Sequence, residues 1–334
     1  MAKHMLTVDD LHVVFHTPLG DVRAVSGVSF QIEKGQIYGI VGESGCGKSV
    51  TGQSILRLIQ PPGEIVRGHI FFDGEDIIRK SDREMEQLRG IRISMIFQDP
   101  SAALNPLFTV SQQLMGIMKR HNIAKGDKLY QRAVQLLTDM DLPNPEDLLH
   151  RYPHELSGGM QQRVMIAMAL STDPDLIIAD EPTSALDVTI QSQILDLLLS
   201  LQQERNLTIM LITHDLGVVA ETCKELAVFY LGRIVEQGLV KHVFRDPKHP
   251  YTQGLLAALP TLDPETRGST LKVIPGTVPT LLTPINHCAF ATRCEYAMEI
   301  CFQKKPDIVF FNNKHLSACH LYTDKAKRDD GGRR

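Results

Sequence analysis

Gln36-Ile37-Tyr38-Gly39-Ile40-Val41-Gly42-Glu43-Ser44-Gly45-Cys46-Gly47-Lys48-Ser49 is an apolar strand, QIYGIV, running into a glycine-rich loop, and the residues after it suit a helix to about Leu58. That order, with the spacing G-x-x-x-x-G-K-S, is the P-loop pattern. Its glycines let the backbone curl until successive N–H groups and the helix N-terminus face phosphate oxygens. Lys48 is then expected to reach the β- and γ-phosphates of a nucleoside triphosphate, and the Ser49 hydroxyl to ligate Mg2+. Gly42, Ser44, Gly45, Cys46, Gly47, Lys48, Ser49 and Val50 are the candidate phosphate-binding residues, Cys46 serving as a spacer without a redox role. A glycine-rich turn with an incidental lysine is the bland alternative, and it leaves the flanking strand and helix unexplained.

A phosphate-bound Mg2+ needs an acidic partner, and LIIADE (176–181) supplies one: an apolar strand ending in Asp180 and Glu181. A carboxylate at the C-terminal end of a buried strand suits the metal, directly or through water, so Asp180 takes that role. Glu181, not needed as a ligand, is the candidate general base for the attacking water. Between the two motifs lies Leu156-Ser157-Gly158-Gly159-Met160-Gln161-Gln162-Arg163. Ser157 can cap the helix that follows, while Gly158 and Gly159 let backbone N–H groups approach an anion.

Outward from these motifs, residues 6–40 read as short β segments, and from Thr51 strands alternate with helices, as in an α/β sheet layered by helices. Between about Asp99 and Arg163 amphipathic stretches such as DKLYQRAVQLLTDMDL indicate a helical insert. After about Pro247 prolines and glycines multiply and periodicity weakens, so a core of residues 1–245 and a small second domain over 246–334 are expected. The tail TDKAKRDDGGRR has nothing to bury and is expected to be disordered. The 334 residues carry 35 Lys plus Arg against 39 Asp plus Glu, a formal net charge of −4, so no basic field argues for nucleic acid as a partner. No signal sequence and no apolar run of about 18 residues is present. The chain is therefore expected in the cytosol, meeting a membrane only through a partner.

LSGGMQQR resembles the ABC-transporter signature, and its place between a P-loop and LIIADEP is specific to that ATPase family; the resemblance covers residues 5–245. It implies an ABC-type P-loop ATPase core, with a β-rich N-terminal part, a RecA-like parallel sheet and a helical subdomain over about 99–163. It also implies roles for single residues. Gln98, in IFQDP, matches the glutamine loop that senses γ-phosphate and Mg2+; Asp187, in SALD, matches the dimer-seam aspartate; His214, in LITHD, matches the switch histidine on γ-phosphate. Phe15 is the candidate for stacking on adenine, at a spacing stretched by HTPLG. In this family Ser157 of one subunit would contact ATP bound by another, so the resemblance implies a dimer with an identical or related ATPase. HPYTQGLL (249–256), PGTVP (275–279) and FQDPSAALNP (97–106) resemble the ATP-binding subunits of oligopeptide, dipeptide and nickel importers. Two transmembrane permease subunits and an extracytoplasmic substrate-binding protein are then the further partners, and the chain sits peripherally on the cytoplasmic face of the cell membrane. A soluble ABC ATPase of another class would instead show a coiled-coil insert or two ATPase halves, and a P-loop kinase has no use for LSGGMQQR.

Four of six cysteines, Cys288, Cys294, Cys301 and Cys319, follow the spacing C-x5-C-x6-C-x17-C within a segment poor in core residues. A small domain of that kind calls for a staple. Structural zinc favours a C-x2–4-C knuckle, which is missing, so a 4Fe-4S cluster is the preferred reading, with zinc and plain packing as alternatives. The C-terminal domain is thus expected to be metal-stapled. Cys223 is expected to be a packing residue.

Overall fold

The computed structural model describes residues 4–184, 187–259, 273–279, 282, 285–312 and 314–323. From position 324 the expected disordered tail lies outside the described residues, as do Ala185 and Leu186 of SALD. The strands are β1 (His4–Thr17), β2 (Gly20–Glu33), β3 (Ile37–Val41), β4 (Gly63–Phe72), β5 (Glu75–Asp76), β6 (Ile93–Ile96), β7 (Leu176–Asp180), β8 (Thr208–Thr213), β9 (Glu225–Tyr230), β10 (Arg233–Leu239), β11 (Ile308–Asn312) and β12 (His315–Ala318). The α-helices are α1 (Lys48–Ile55), α2 (Asp82–Leu88), α3 (Pro100–Ala103), α4 (Val110–Arg120), α5 (Asp127–Asp139), α6 (Pro145–Leu149), α7 (Gly158–Leu170), α8 (Val188–Arg205), α9 (Leu216–Thr222), α10 (Val240–Arg245), α11 (Pro250–Ala257) and α12 (Glu299–Gln303). The chain divides into two compact units, one of residues 1–5, 32–37 and 76–212, the other of 6–31, 38–75 and 213–334.

The second of these units carries the P-loop. Its β3 is buried at every position and runs parallel to β9, Tyr38 opposite Glu225 and Val41 opposite Val228. Strands covered on both faces read as continuous apolar runs, as ELAVFY does. β9 continues antiparallel into β10, and β12 and β11 extend that edge. β1 pairs antiparallel with β4, from Leu6 opposite Phe72 to Phe15 opposite Gly63. The β segments expected over 6–40 are present as β1, β2 and β3, the first two running longer, to 14 residues each. Alternate burial at Val28, Phe30 and Ile32 carries β2 past Gly27, whose φ of 81° is one that glycine adopts without strain.

The other unit holds parallel strands β6, β7 and β8, all buried, with Ile93 opposite Leu176 and Leu176 opposite Thr208. The helical insert is α3 to α6 with a 3-10 turn at Pro153–Glu155, leading into α7. α4 begins in a Thr109/Gln112 capping box and buries Val110, Leu114 and Met118, one face at a spacing of four.

In the P-loop unit the fully buried Glu236 of β10 ties the C-terminal segment down. Its carboxylate accepts the N–H groups of Lys248 (2.7 Å) and His249 (2.8 Å) and lies 2.7 Å from His315 Nε2 of β12. His249 in turn caps α11, its Nδ1 accepting the Tyr251 N–H at 3.1 Å. Burial lowers the His249 pKa to about 3. Below the ordinary histidine pKa the unfolded chain takes up a proton that the folded chain refuses, so stability is lost as pH falls from about 6.5 toward 3. His249→Asn, which keeps an acceptor for the Tyr251 N–H, is expected to flatten that loss. Urea midpoints measured between pH 7 and 4.5 should fall less steeply in the variant than in the wild type.

Candidate nucleotide site

β3 delivers the chain into the P-loop, and two close approaches fix the loop's path. A Cβ on Gly47 (φ 96°) would lie 2.3 Å from the Ala24 carbonyl oxygen, and one on Gly42 (φ 153°) 2.3 Å from that of Phe229. Neither position has room for a side chain. Lys48 is 4% exposed, and its Nζ donates to the carbonyls of Gly42 (2.8 Å) and Glu43 (3.1 Å). Cys46 is buried, its thiol pKa raised by that burial, and its backbone carbonyl accepts the Gly232 N–H at 2.9 Å; it packs, as the spacer role requires. Ser44 and Gly45 are exposed at the loop tip, and Ser49 and Val50 are half-buried in the first turn of α1. His214 is exposed in the same unit, just before Asp215, whose carboxylate caps α9 through the N–H groups of Gly217 and Val218. Phe15 is half-buried on β1, its ring against Gly63 and so close that a Cβ there would meet Phe15 Cε1 at 2.6 Å.

The acidic residues lie in the other unit. β7 ends in Asp180, 5% exposed, and Glu181 follows in the left-handed region at φ 45°. A non-glycine residue held there is strained, and such strain gathers at functional positions. The Glu181 N–H donates to the Ile212 carbonyl at 2.8 Å, and Gln98 Nε2 donates to Glu181 Oε2 at 3.0 Å. Gln98 and Glu181, 83 residues apart, are thus brought together. Ser157 caps α7, its hydroxyl accepting the Met160 N–H at 3.4 Å, and Ser157 and Gly158 are exposed, whereas Gly159 packs near Ile190. Asp187 is exposed and caps α8 by accepting the Ile190 N–H at 3.0 Å.

Sequence reasoning passed over the residues that grip the P-loop from the C-terminal segment. The Arg293 guanidinium forks onto the Glu43 carboxylate at 2.7 and 3.0 Å, and the Glu43 N–H donates to the Tyr251 hydroxyl at 2.9 Å. The partners of the ion pair stand 250 residues apart, and no local pattern marks either.

The four C-terminal cysteines converge. The Cys288 N–H donates to the Cys301 carbonyl at 3.0 Å, and Cys288, Cys301 and Cys319 are buried. Burial pushes the Cys288 thiol up to about 11 and Cys319 up to about 12, and raises Cys294, with the neighbouring thiols adding to each shift. Among the described residues no group of three or more His, Cys, Asp or Glu is disposed to hold a metal ion. The described segment is held by the Arg293 and Glu236 contacts, with Cys288, Cys301 and Cys319 buried within it. Cys223, buried in the same unit, has its thiol raised to about 12 by burial, in keeping with packing.

Over residues 25–184 the sequence matches the ABC transporter family, and over 235–301 the oligopeptide/dipeptide transporter C-terminal region. It is 49% identical over 325 residues to the oligopeptide transport ATP-binding protein OppD of Bacillus subtilis (strain 168), covering 97% of this chain and 90% of that one. The chain belongs to the ABC transporter family. Among its relatives is also the dipeptide transport ATP-binding protein DppD of Escherichia coli (strain K12), 44% identical over 324 residues, 97% of this chain and 98% of that one. The dimeric post-hydrolysis structure of the ATP-binding cassette MJ0796 bound to ADP and Pi is 27% identical, with a TM-score of 0.64 over 71% of this chain and 99% of that one. This ABC ATPase therefore has the P-loop ATPase fold expected of it, and no described helix is long and apolar enough to cross a membrane.

Gly47→Ala is expected to distort the loop and weaken nucleotide binding by about tenfold or more, the scale of a strained backbone residue. Gly45→Ala, where an added Cβ meets nothing within 4 Å, should cost less. Titration of both purified variants with a fluorescent ATP analogue distinguishes them.

Proposed function

We propose that the chain is the ATP-binding and ATP-hydrolysing subunit of a peptide importer, for dipeptides or oligopeptides, on the cytoplasmic face of the cell membrane. It pairs with a second ABC ATPase, identical or related, and drives two permease subunits fed by an extracytoplasmic binding protein. The oligopeptide and dipeptide transport roles of the relatives and the match to the peptide-transporter C-terminal region support this substrate class.

The P-loop amides from Ser44 to Ser49 receive the phosphates, and Lys48 exchanges its carbonyl partners for phosphate oxygens. Ser49, with Asp180, suits Mg2+: a hydroxyl in the first turn of α1 and a carboxylate at a strand end are the hard oxygen donors it takes, and the ion would neutralise phosphate charge. Glu181 accepts the proton of the attacking water, Gln98 orients that carboxylate, and His214 donates to the γ-phosphate. Phe15 stacks on adenine. Exposed Ser157 and Gly158, with Gly159 beside them and backed by the N-terminus of α7, face the nucleotide of the partner ATPase, with Asp187 at the seam. The observation that carries the hydrolytic reading is the Glu181 carboxylate, set at the end of β7 in a strained conformation and held by the Gln98 amide. Domain limits of 1–245 for the ATPase core and 246–334 for the extension complete this reading.

Cys288, Cys294, Cys301 and Cys319 are assigned to a structural 4Fe-4S cluster, with zinc as the alternative. Support comes from the convergence of four thiols and from the chemistry of the donor set, since cysteine thiolates are what such clusters take. Loading would displace the thiol protons that burial now retains.

Glu181→Gln is expected to retain ATP binding and lower turnover by about a hundredfold or more, the worth of a positioned base. In an assembled transporter this appears as a long-lived ATP-bound state, and turnover near the wild-type rate would remove Glu181 from the base role. For the cysteines, protein purified anaerobically should be brown, absorb broadly, and contain about four iron atoms per chain. One zinc per colourless chain selects the alternative, and metal-free protein with four alkylatable thiols ends both.

A further inference from the structure

Arg293 is the least exposed charged end of the C-terminal segment's contact with the P-loop. Its side chain is 4% exposed, its Nε donates to the Pro275 carbonyl at 2.9 Å, and its guanidinium lies 5.8 and 5.9 Å from the ring centres of Tyr230 and Phe290. The remaining edge makes the two-point contact with Glu43. A forked pair fixes orientation as well as distance, and a guanidinium so enclosed cannot turn away without leaving a buried charge unpaired. The other grip falls on the main chain. The Glu43 N–H, held by Tyr251, and the Gly42 carbonyl, held by Lys48, belong to one planar peptide unit, so the two side chains fix the same plane through its two polar groups. Lys48 also bonds the Glu43 carbonyl, on the same residue whose carboxylate Arg293 holds.

We propose that the C-terminal segment positions the phosphate cradle: Arg293, acting through Glu43 and together with Tyr251, sets the backbone geometry around Lys48 and thereby the affinity of the site for ATP. This rests on residues 42–49 being the phosphate cradle. Arg293 is a positioning residue and touches no phosphate. It belongs to the 3-10 turn Ala291–Arg293, whose N–H groups at 291 and 293 donate to the carbonyls of Cys288 and Phe290, and it directly precedes Cys294. The cysteine segment therefore carries the brace, and the extension becomes part of the support of the ATP site.

The test is a titration of the full chain with a fluorescent ATP analogue in the presence of Mg2+, on Arg293→Met, Arg293→Lys, Glu43→Gln and the double variant Arg293→Met/Glu43→Gln. Arg293→Met should raise Kd about tenfold or more, as misplacement of a binding group does. Arg293→Lys, which keeps the charge without the fork, should fall between it and the wild type. The double variant should bind no more weakly than the worse single one, because both remove one interaction. In the assembled transporter the KM for ATP should rise while kcat at saturating ATP holds. A Kd within about twofold of wild type in folded Arg293→Met, or effects that multiply in the double variant, overturns the proposal. If Arg293→Met does not fold, Glu43→Gln and Tyr251→Phe carry the test, each expected to raise Kd severalfold, and unchanged values overturn it. Lys48→Ala separates the underlying reading: wild-type affinity there ends the cradle assignment, whereas lost affinity there with normal Arg293→Met ends only the brace.

Discussion

The peptide joining Gly42 to Glu43 is the point on which the geometry of the P-loop depends. Its carbonyl holds the Lys48 ammonium and its N–H is held by the Tyr251 hydroxyl, so a single planar unit links the position of α11 to that of the Lys48 ammonium. Around it the loop has no slack, since neither Gly42 nor Gly47 has room for a Cβ against the carbonyls of Phe229 and Ala24. Those carbonyls belong to β9 and β2, so strands from both ends of the chain shape the same loop. The preorganisation is steric on one side and hydrogen-bonded on the other, and neither alone would fix both the path of the backbone and the direction of its polar groups.

The acidic residues are held by a different device. β7 is fully buried, which fixes Asp180 at its end, and the abrupt change to a left-handed conformation at Glu181 turns the next carboxylate into a new direction. The Ile212 carbonyl and the Gln98 amide secure that turn at main chain and side chain. Two adjacent acids thus receive different surroundings, the condition for one to serve a metal and the other a proton.

What the sequence discloses and what it conceals follow the range of the interactions. β3, α1 and β7 are legible because each motif lies within a few residues and its apolar strand is continuous; α5 is legible through the spacing of Leu129, Ala133, Leu136 and Leu137. The full length of β1 and β2 is harder to read, because both strands run on through polar residues such as His16, Thr17 and Asp21. Arg293 and Glu43, Tyr251 and the Glu43 N–H, and Glu236 and His315 are illegible for a simpler reason: each pair is distant in sequence, and neither member is unusual in its own neighbourhood. The cysteine spacing marks four thiols within one short segment, but spacing alone does not name a ligand.

The proposed importer role makes this chain one subunit of an assembly. The most direct measurement is ATP hydrolysis by the complex purified with this chain from its native membrane, with and without peptide delivered by the binding protein. The account predicts two membrane-spanning subunits and a second ATPase in that complex, and hydrolysis that rises when peptide is supplied. A chain that purifies without membrane-spanning partners, and hydrolyses ATP at one rate whether or not peptide is present, would contradict it.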